Sequence, residues 1–446
     1  MRAALLVLAV LTFVPAAAAR PVQIRGADPE AYSLDLRYEA RGAGVLSGSE
    51  RIEFVNRGPR ALERVWLRLW ANGPERCRPR RIRVSIDPPA AAGAERVRCS
   101  ALAVRLAAPV PPGGSGSISL SFEVRGRRVA DRFGRIGGTT LLGNVIPVLA
   151  VRDRHGLHLQ PYSYRGESFY SLSARWDAVL RLPEQLRAAT TGTVQSEQTA
   201  GGERVLRVST GQARDFSLAV GRLRLVEREQ DGVRVRVHAG PGVRGVRRGL
   251  RVARRAVRAF GRRYGPYGSP ELDVVLVGGG FQGGIGMEYP ELVFSIPAPE
   301  VITHEVAHQW WYGLVGNNQF REPWLDESFA QYSHERLHPE VNFCRPGNPY
   351  LLVAPRRRHI PLDSTMGLFE RGSPLTIGEV AYFAGSCALQ RLERDIGRAR
   401  MTELLRLLQT RFRHRVMTRS DVVEGIRDVV PRYELRRWLR IAHLAP

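Results

Sequence analysis

The sequence contains no lysine. Its 67 basic residues are therefore all arginines, and against 43 acidic residues they leave a formal net charge of +24. Such a charge invites a nucleic acid or an anionic surface as partner. Complete replacement of one cation by the other is instead the mark of codon bias in a GC-rich genome. The arginines are spread along the chain, and no nucleic-acid reader motif accompanies them, so a nucleic-acid function is excluded. Long apolar runs are missing beyond the N-terminus: no later segment approaches the roughly 20 residues of a bilayer span, and no membrane span is expected in the mature chain. Internal repeats and low-complexity segments are absent too. The glycines at Gly278-Gly279-Gly280, Gly283, Gly284 and Gly286 form neither a P-loop nor a dinucleotide fingerprint, which excludes phosphate binding there. Cysteine is scarce. Cys77, Cys99, Cys344 and Cys387 are compatible with two disulfides in an oxidising compartment, or with buried free thiols. Of the possible connectivities, the simplest pairs Cys77 with Cys99 and Cys344 with Cys387.

What is present suffices for two or three domains: 446 residues, 43% of them hydrophobic. Residues 1–19 read as a secretory signal, with Arg2, an apolar run from Ala3 to Val14, and small residues ending in Ala17-Ala18-Ala19 as the cleavage site. The mature protein is expected to be soluble and secreted or periplasmic. Residues 20–229 read as a β-rich domain. Tyr32, Leu34, Leu36 and Tyr38 alternate with polar neighbours, as do Val65, Leu67 and Leu69, then Ile118, Leu120, Phe122 and Val124. Period two with Gly and Pro punctuation argues half-buried antiparallel strands in a sandwich-like arrangement. Residues 230–446 read as a second domain. Val246, Leu250, Ala253, Val257, Phe260 and Tyr264 recur at helical spacing, with arginines mostly off that face. A buried-type strand from Leu272 to Val277 follows, and the remainder reads as mainly helical, broken by an irregular stretch from His338 to Pro374.

His304-Glu305-Val306-Ala307-His308 carries the chemistry. Two histidines four apart lie about one turn apart on one helix face, so both imidazoles can reach one metal ion. Glu305 projects toward the open side of that ion, where a carboxylate can take a proton from an attacking water. The run from Val301 to Val315 reads as a single helix capped at Gly316. Glu327 is the expected third ligand, separated from His308 by 18 residues, enough for one helix to end and a second to return antiparallel. Two histidines and one glutamate suit zinc, one ion per chain, with a fourth position open. Asp326, Asn317 and Asn318 are the polar neighbours that could orient a ligand histidine.

With these residues placed, the sequence resembles the gluzincin peptidases of the aminopeptidase N family: H-E-x-x-H, 18 residues, then Glu327 within Trp324-Leu325-Asp326-Glu327-Ser328-Phe329-Ala330. The resemblance implies an α+β fold, with a thermolysin-like, mainly helical zinc catalytic domain behind the N-terminal β domain. It also implies removal of residues from the amino end of peptides. Gly286-Met287-Glu288-Tyr289-Pro290 is similar to the family's G-x-M-E-N segment, so that Glu288 would bind the free α-amine, with Gly286 and Met287 as substrate-binding positions beside it. Tyr289 stands where asparagine is usual. Tyr382 lies 55 positions after Glu327 in Tyr382-Phe383-Ala384-Gly385, which resembles the Y-x-K-G segment at the head of a helix, with Ala384 in place of lysine. The likeness makes Tyr382 a catalytic residue alongside Glu305, its phenol donating to the oxyanion. Gly143-Asn144 and Arg214-Asp215-Phe216 are loosely similar to short family segments. The chain ends soon after Trp438, so the large helical C-terminal domain of many members is not expected and the cleft should be open. A secreted zinc endopeptidase and an inactive binding protein of the same fold are the alternative readings. Glu288 discriminates, because an endopeptidase has no use for an amine anchor.

Overall fold

The computed structural model describes residues 22–128, 132–278, 286–344 and 360–444. The signal-like segment 1–19 lies outside the described residues, as do Gly279, Gly280, Gly283 and Gly284. The strand Ala27–Glu39 forms as its alternation dictates: Tyr32, Leu34, Leu36 and Tyr38 are buried, while Ser33, Asp35 and Arg37 are exposed. It pairs in parallel with Arg175–Pro183 and antiparallel with Val45–Asn56. These three strands are the centre of a seven-stranded sheet, extended by Glu203–Ser209 and Thr193–Ala200 on one side and by Ser115–Arg125 and Ile82–Asp87 on the other. A four-stranded sheet that includes Leu62–Arg68 and Ala101–Val110 covers its inner face. Leu36, Ile52 and Phe122 share one apolar core with Val65, Leu67 and Val104. Within it, the Tyr32 ring lies flat on Trp176 at 3.9 Å.

A further four-stranded sheet in this half turns toward the second half, where Leu141, Ala189 and Ala219 pack on Val275, Met287 and Phe294. The second half opens with a five-stranded mixed sheet whose order is Arg224–Gln230, Val233–Ala239, Glu271–Leu276, Leu292–Ser295, Gly286–Tyr289. Its first two strands form a hairpin closed by Asp231 and Gly232, both at positive φ, the conformation a two-residue turn of this kind demands. The sequence reading divides the chain at 229/230, inside this hairpin. The pairing leads us to propose a boundary ahead of Arg224.

The helices are α1 (Val246–Tyr264), α2 (Pro299–Ala307), α3 (Trp324–Leu337), α4 (Met366–Glu370), α5 (Gly385–Ile396), α6 (Arg398–Arg411), α7 (Arg419–Val429) and α8 (Leu435–Ile441). In α1 the six apolar positions picked out by spacing are all buried, and Arg247, Arg248, Arg251, Arg255, Arg258 and Arg262 are exposed. The expectation of a mainly helical second half needs correction, because it is helical only in part. Strands as short as Gly286–Tyr289 and Leu292–Ser295 show no periodicity to distinguish them from helix.

The expected helix from Val301 to Val315 also needs correction. It runs from Pro299 only to Ala307, and beyond it the backbone widens into bonds from Gly313 to His308, Leu314 to Gln309 and Val315 to Trp310. Gly316 does not cap it. It sits in a short strand paired with Arg415–Val416, where a side chain would collide with the guanidinium of Arg214. Both disulfides form in the sequential pairing, Cys77–Cys99 and Cys344–Cys387, with Cα separations of 5.8 and 5.3 Å. Among the described residues no helix is long and apolar enough to cross a membrane.

Candidate metal centre and active site

Five segments of the second half and two of the first converge on a cavity of about 510 Å³. Helix α2 starts at Pro299, which suits the first helical position because its missing N–H has no partner to lose there. It presents His304 and Glu305, with His308 as its C-cap. Helix α3 returns against it and presents Glu327 in its first turn. The three ligand candidates meet at one point. His304 Nε2 is 3.1 Å from His308 Nε2, and Glu327 Oε2 is 3.3 Å from each of them.

These separations test the fit of an ion. Tetrahedral donors at about 2.0–2.1 Å from zinc stand roughly 3.3 Å apart, so His304, His308 and Glu327 fit zinc with little adjustment. The charge balance agrees. Burial pushes the Glu305 carboxyl up to about 8, opposed by His308, and its Oε2 has no hydrogen-bond partner among the described residues. Burial also raises Glu327, but His308 and the hydrogen bonds from both histidines outweigh it and hold that carboxyl well below the usual range. A divalent cation supplies the positive charge that these carboxylates lack.

The histidines are oriented by groups other than those the sequence suggested. His308 Nδ1 is 3.1 Å from the carbonyl oxygen of Trp311, which fixes that nitrogen as the donor and leaves Nε2 free for a metal. The carbonyl is available because the helix unwinds after Ala307. His304 is hydrogen-bonded to Gln331, and its ring stacks on Tyr382 at 5.5 Å. Asp326 instead accepts from the Gln319 amide and from the Glu327 backbone N–H, at 2.9 Å each. Asn317 donates to the Glu322 carbonyl, and Asn318 faces His158.

Glu288 lies on the edge strand beside His308 and accepts a 3.0 Å hydrogen bond from Gln319. Its carboxylate comes within 4.8 Å of ligand atoms on Glu305 and His308. Gly286 lets this strand run against Glu305, since a methyl group there would overlap the carboxylate. Met287 points the other way, into the apolar cluster between the halves, and does not line the cavity. Tyr289 explains its departure from asparagine in the same manner. Its hydroxyl is packed against Gly143, whose lack of a side chain makes the room.

Tyr382 reaches the cavity from a π-helical segment, Gly378–Ala384, that runs on into α5, so it sits inside a widened turn rather than at a plain helix head. Such turns often mark functional positions. Its hydroxyl is hydrogen-bonded to Glu327, and burial followed by the Glu327 charge raises its pKa well above the usual value.

Sequence reasoning missed Glu167, Arg132 and His334. Glu167 belongs to the β-rich half, is buried, and accepts a 2.7 Å bond from Arg132. Its carboxylate clusters with Glu288 and Glu327, and burial is the main cause raising both Glu167 and Glu288. No local pattern marks Glu167. His334 is seven positions after Glu327 on α3, and helical periodicity could have found it.

A model described as the peptidase family M1 domain matches residues 297–345. Aminopeptidase B of Rattus norvegicus is 26% identical over 212 residues, 40% of this chain and 32% of the relative. Leucine aminopeptidase 2 of Coccidioides immitis is 30% identical over 104 residues, 22% of this chain and 16% of the relative. The match to these curated relatives thus spans a third of their length or less. A mutant of an M1 zinc metallopeptidase from Deinococcus radiodurans superposes over 96% of this chain and 97% of its own, with a TM-score of 0.70 at 22% identity. A mutant of that enzyme bound to a Tyr-Ser-Ala substrate does so over 96% of each chain, with a TM-score of 0.68 at 22% identity. At such identity the likeness speaks for the fold. The matched segment covers all of α2 and α3, the two helices that carry the candidate metal ligands, and with the relatives and the shared fold it supports a likeness to peptidase family M1, among the aminopeptidase N-like gluzincins.

Proposed function

We propose that the protein is a zinc aminopeptidase whose second half is a thermolysin-like catalytic domain. The observation that carries this reading is the second pair of buried carboxylates, Glu288 and Glu167, beside the three-ligand point. One metal ion accounts for Glu327 and for the base. It leaves Glu288 and Glu167 with Arg132 as the cation hydrogen-bonded to Glu167. A substrate α-ammonium answers that surplus and fixes the first peptide bond over the metal. His304, His308 and Glu327 would hold zinc, which would supply Lewis-acid polarisation of the carbonyl and lower the pKa of the attacking water. Glu305 takes the proton from the attacking water and returns it to the leaving amine. Tyr382 donates from its hydroxyl to the oxygen on which negative charge develops.

The test compares free and N-acetylated copies of one peptide by mass spectrometry. Free peptide should lose residues singly from the amino end, while the acetylated copy persists by on the order of a hundredfold or more. Glu288→Ala should damage the free peptide selectively and narrow that gap. Chelation should stop hydrolysis, and Glu305→Gln should stop it with zinc still bound. Internal cleavage of both copies at equal rates would remove the amine anchor and make the protein an endopeptidase. We further propose export to an oxidising compartment, supported by the signal-like 1–19 and by the two disulfides. N-terminal sequencing of protein recovered outside the cytoplasm checks it, and an intact Met1 there overturns it.

A further inference from the structure

The reaction as proposed leaves one wall of the cavity unused. His334 and Gln331 of α3, Val301 of α2, and Val341 and Phe343 of the segment after α3 form it. His334 is 6% exposed, and neither of its ring nitrogens has a hydrogen-bond partner among the described residues. Its ring stands edge-on to His304 at 6.1 Å and tilted against His338 at 5.5 Å. A neutral imidazole offers one donor and one acceptor. Buried polar atoms without partners are costly, and the cavity is where a partner can enter.

The direction of a bound peptide follows from the ligands. Glu288 lies on the side of His308 and Glu305, whereas His334 and Gln331 lie on the side of His304. With the first residue's amine at Glu288 and its carbonyl over the metal, the second residue emerges along the His304 side. There it meets His334, flanked by Val301, Val341 and Phe343. We propose that His334 is a specificity-determining residue for the second residue of the peptide, selecting side chains that carry a hydroxyl or a carboxamide. Such groups supply partners for the two ring nitrogens of His334, which have none among the described residues. The proposal rests on the aminopeptidase reading and goes beyond it.

The experiment measures kcat/KM of the zinc-loaded full chain for Ala-Thr-Ala against Ala-Val-Ala, and for Ala-Asn-Ala against Ala-Leu-Ala. Within each pair shape is nearly matched and hydrogen bonding differs. The polar peptide should be preferred by about tenfold or more in each pair. His334→Phe keeps a ring and removes both nitrogens. It should bring the ratios to about one, while zinc content and hydrolysis of Ala-Val-Ala stay within roughly twofold. His334→Gln should restore part of the preference. Ratios near one in the unaltered protein, or a preference that survives in the Phe variant, overturn the proposal. A Phe variant that loses zinc overturns it as well, by making His334 a support for His304. If the unaltered protein cleaves all four peptides without preference, the aminopeptidase reading stands and only the role of His334 falls. If it cleaves none, both fall.

Discussion

Tyr382 shows what a single hydroxyl can do here. It hydrogen-bonds Glu327 and stacks over His304, so its ring position is fixed by the ligands themselves. Tyr382→Phe keeps the stacking and removes only the donor. On the proposed role, in which the hydroxyl acts on charge that develops in the transition state, kcat should fall on the order of a hundredfold, about 3 kcal/mol, with KM nearly unchanged. Steady-state kinetics on a free-amine peptide checks this, and a Phe variant of full activity would reassign the oxyanion donor. Gly286 shows the converse, a residue whose missing side chain is its contribution, because the strand carrying Glu288 must lie against Glu305. At this scale the sequence was legible wherever a motif fixed the spacing. His304, Glu305, His308, Glu327, Glu288, Gly286 and Tyr382 all line one cavity. Met287 does not, since adjacent positions of a strand face opposite ways and Glu288 takes the cavity side. Glu167 stayed invisible because its role depends on a contact between halves that local pattern does not encode.

At the scale of elements, the segment after α3 is held from two directions. Glu335 on α3 accepts from the Phe343 backbone N–H and from Ser386 on α5, and the Cys344–Cys387 bridge ties the same segment to α5. Phe343 packs on Phe383 at 4.0 Å, next to Tyr382. The bridge therefore fixes Val341 and Phe343 as cavity wall, while α5 is anchored independently by its buried Leu389 and Leu392. Replacing both cysteines by serine should raise KM several-fold with kcat and zinc content largely kept. It should also lower stability by roughly 4 kcal/mol or less for a loop of this separation. A collapse of kcat at constant KM would show that the bridge positions Tyr382 instead. Elements with long periodic patterns, α1 and the strand Ala27–Glu39, were readable in advance. The end of α2 was not, because its wide turn is set by tertiary partners of Tyr312 and Gly316 and not by local propensity.

Across the whole molecule, those partners come from the other half. Arg214, fully buried, leaves the β-rich half and donates from Nε to the Tyr312 carbonyl at 2.8 Å and from Nη2 to the Arg415 carbonyl at 2.9 Å, while Nη1 holds the Ser171 carbonyl at 2.7 Å. Tyr312 is also held by its hydroxyl, which donates to Asp215 at 2.8 Å. One dipeptide thus clamps the turn whose Trp311 carbonyl orients His308, and the packing of the two halves becomes part of the metal site. Gly316 lies under the guanidinium, where a methyl group would overlap it. Arg214→Ala strands three buried carbonyls and should cost roughly 3–5 kcal/mol. Gly316→Ala alone should cost about 3 kcal/mol, because an arginine fixed at three points has nowhere to retreat. In the double variant the methyl group enters the space Arg214 has left. The combined loss should then fall short of the sum of the single losses by about 2 kcal/mol or more, measured by urea unfolding at equal zinc loading. Strict additivity would mean that the strand bearing Gly316 shifts away from Arg214 in the single variant, and that the two halves are not locked through this contact.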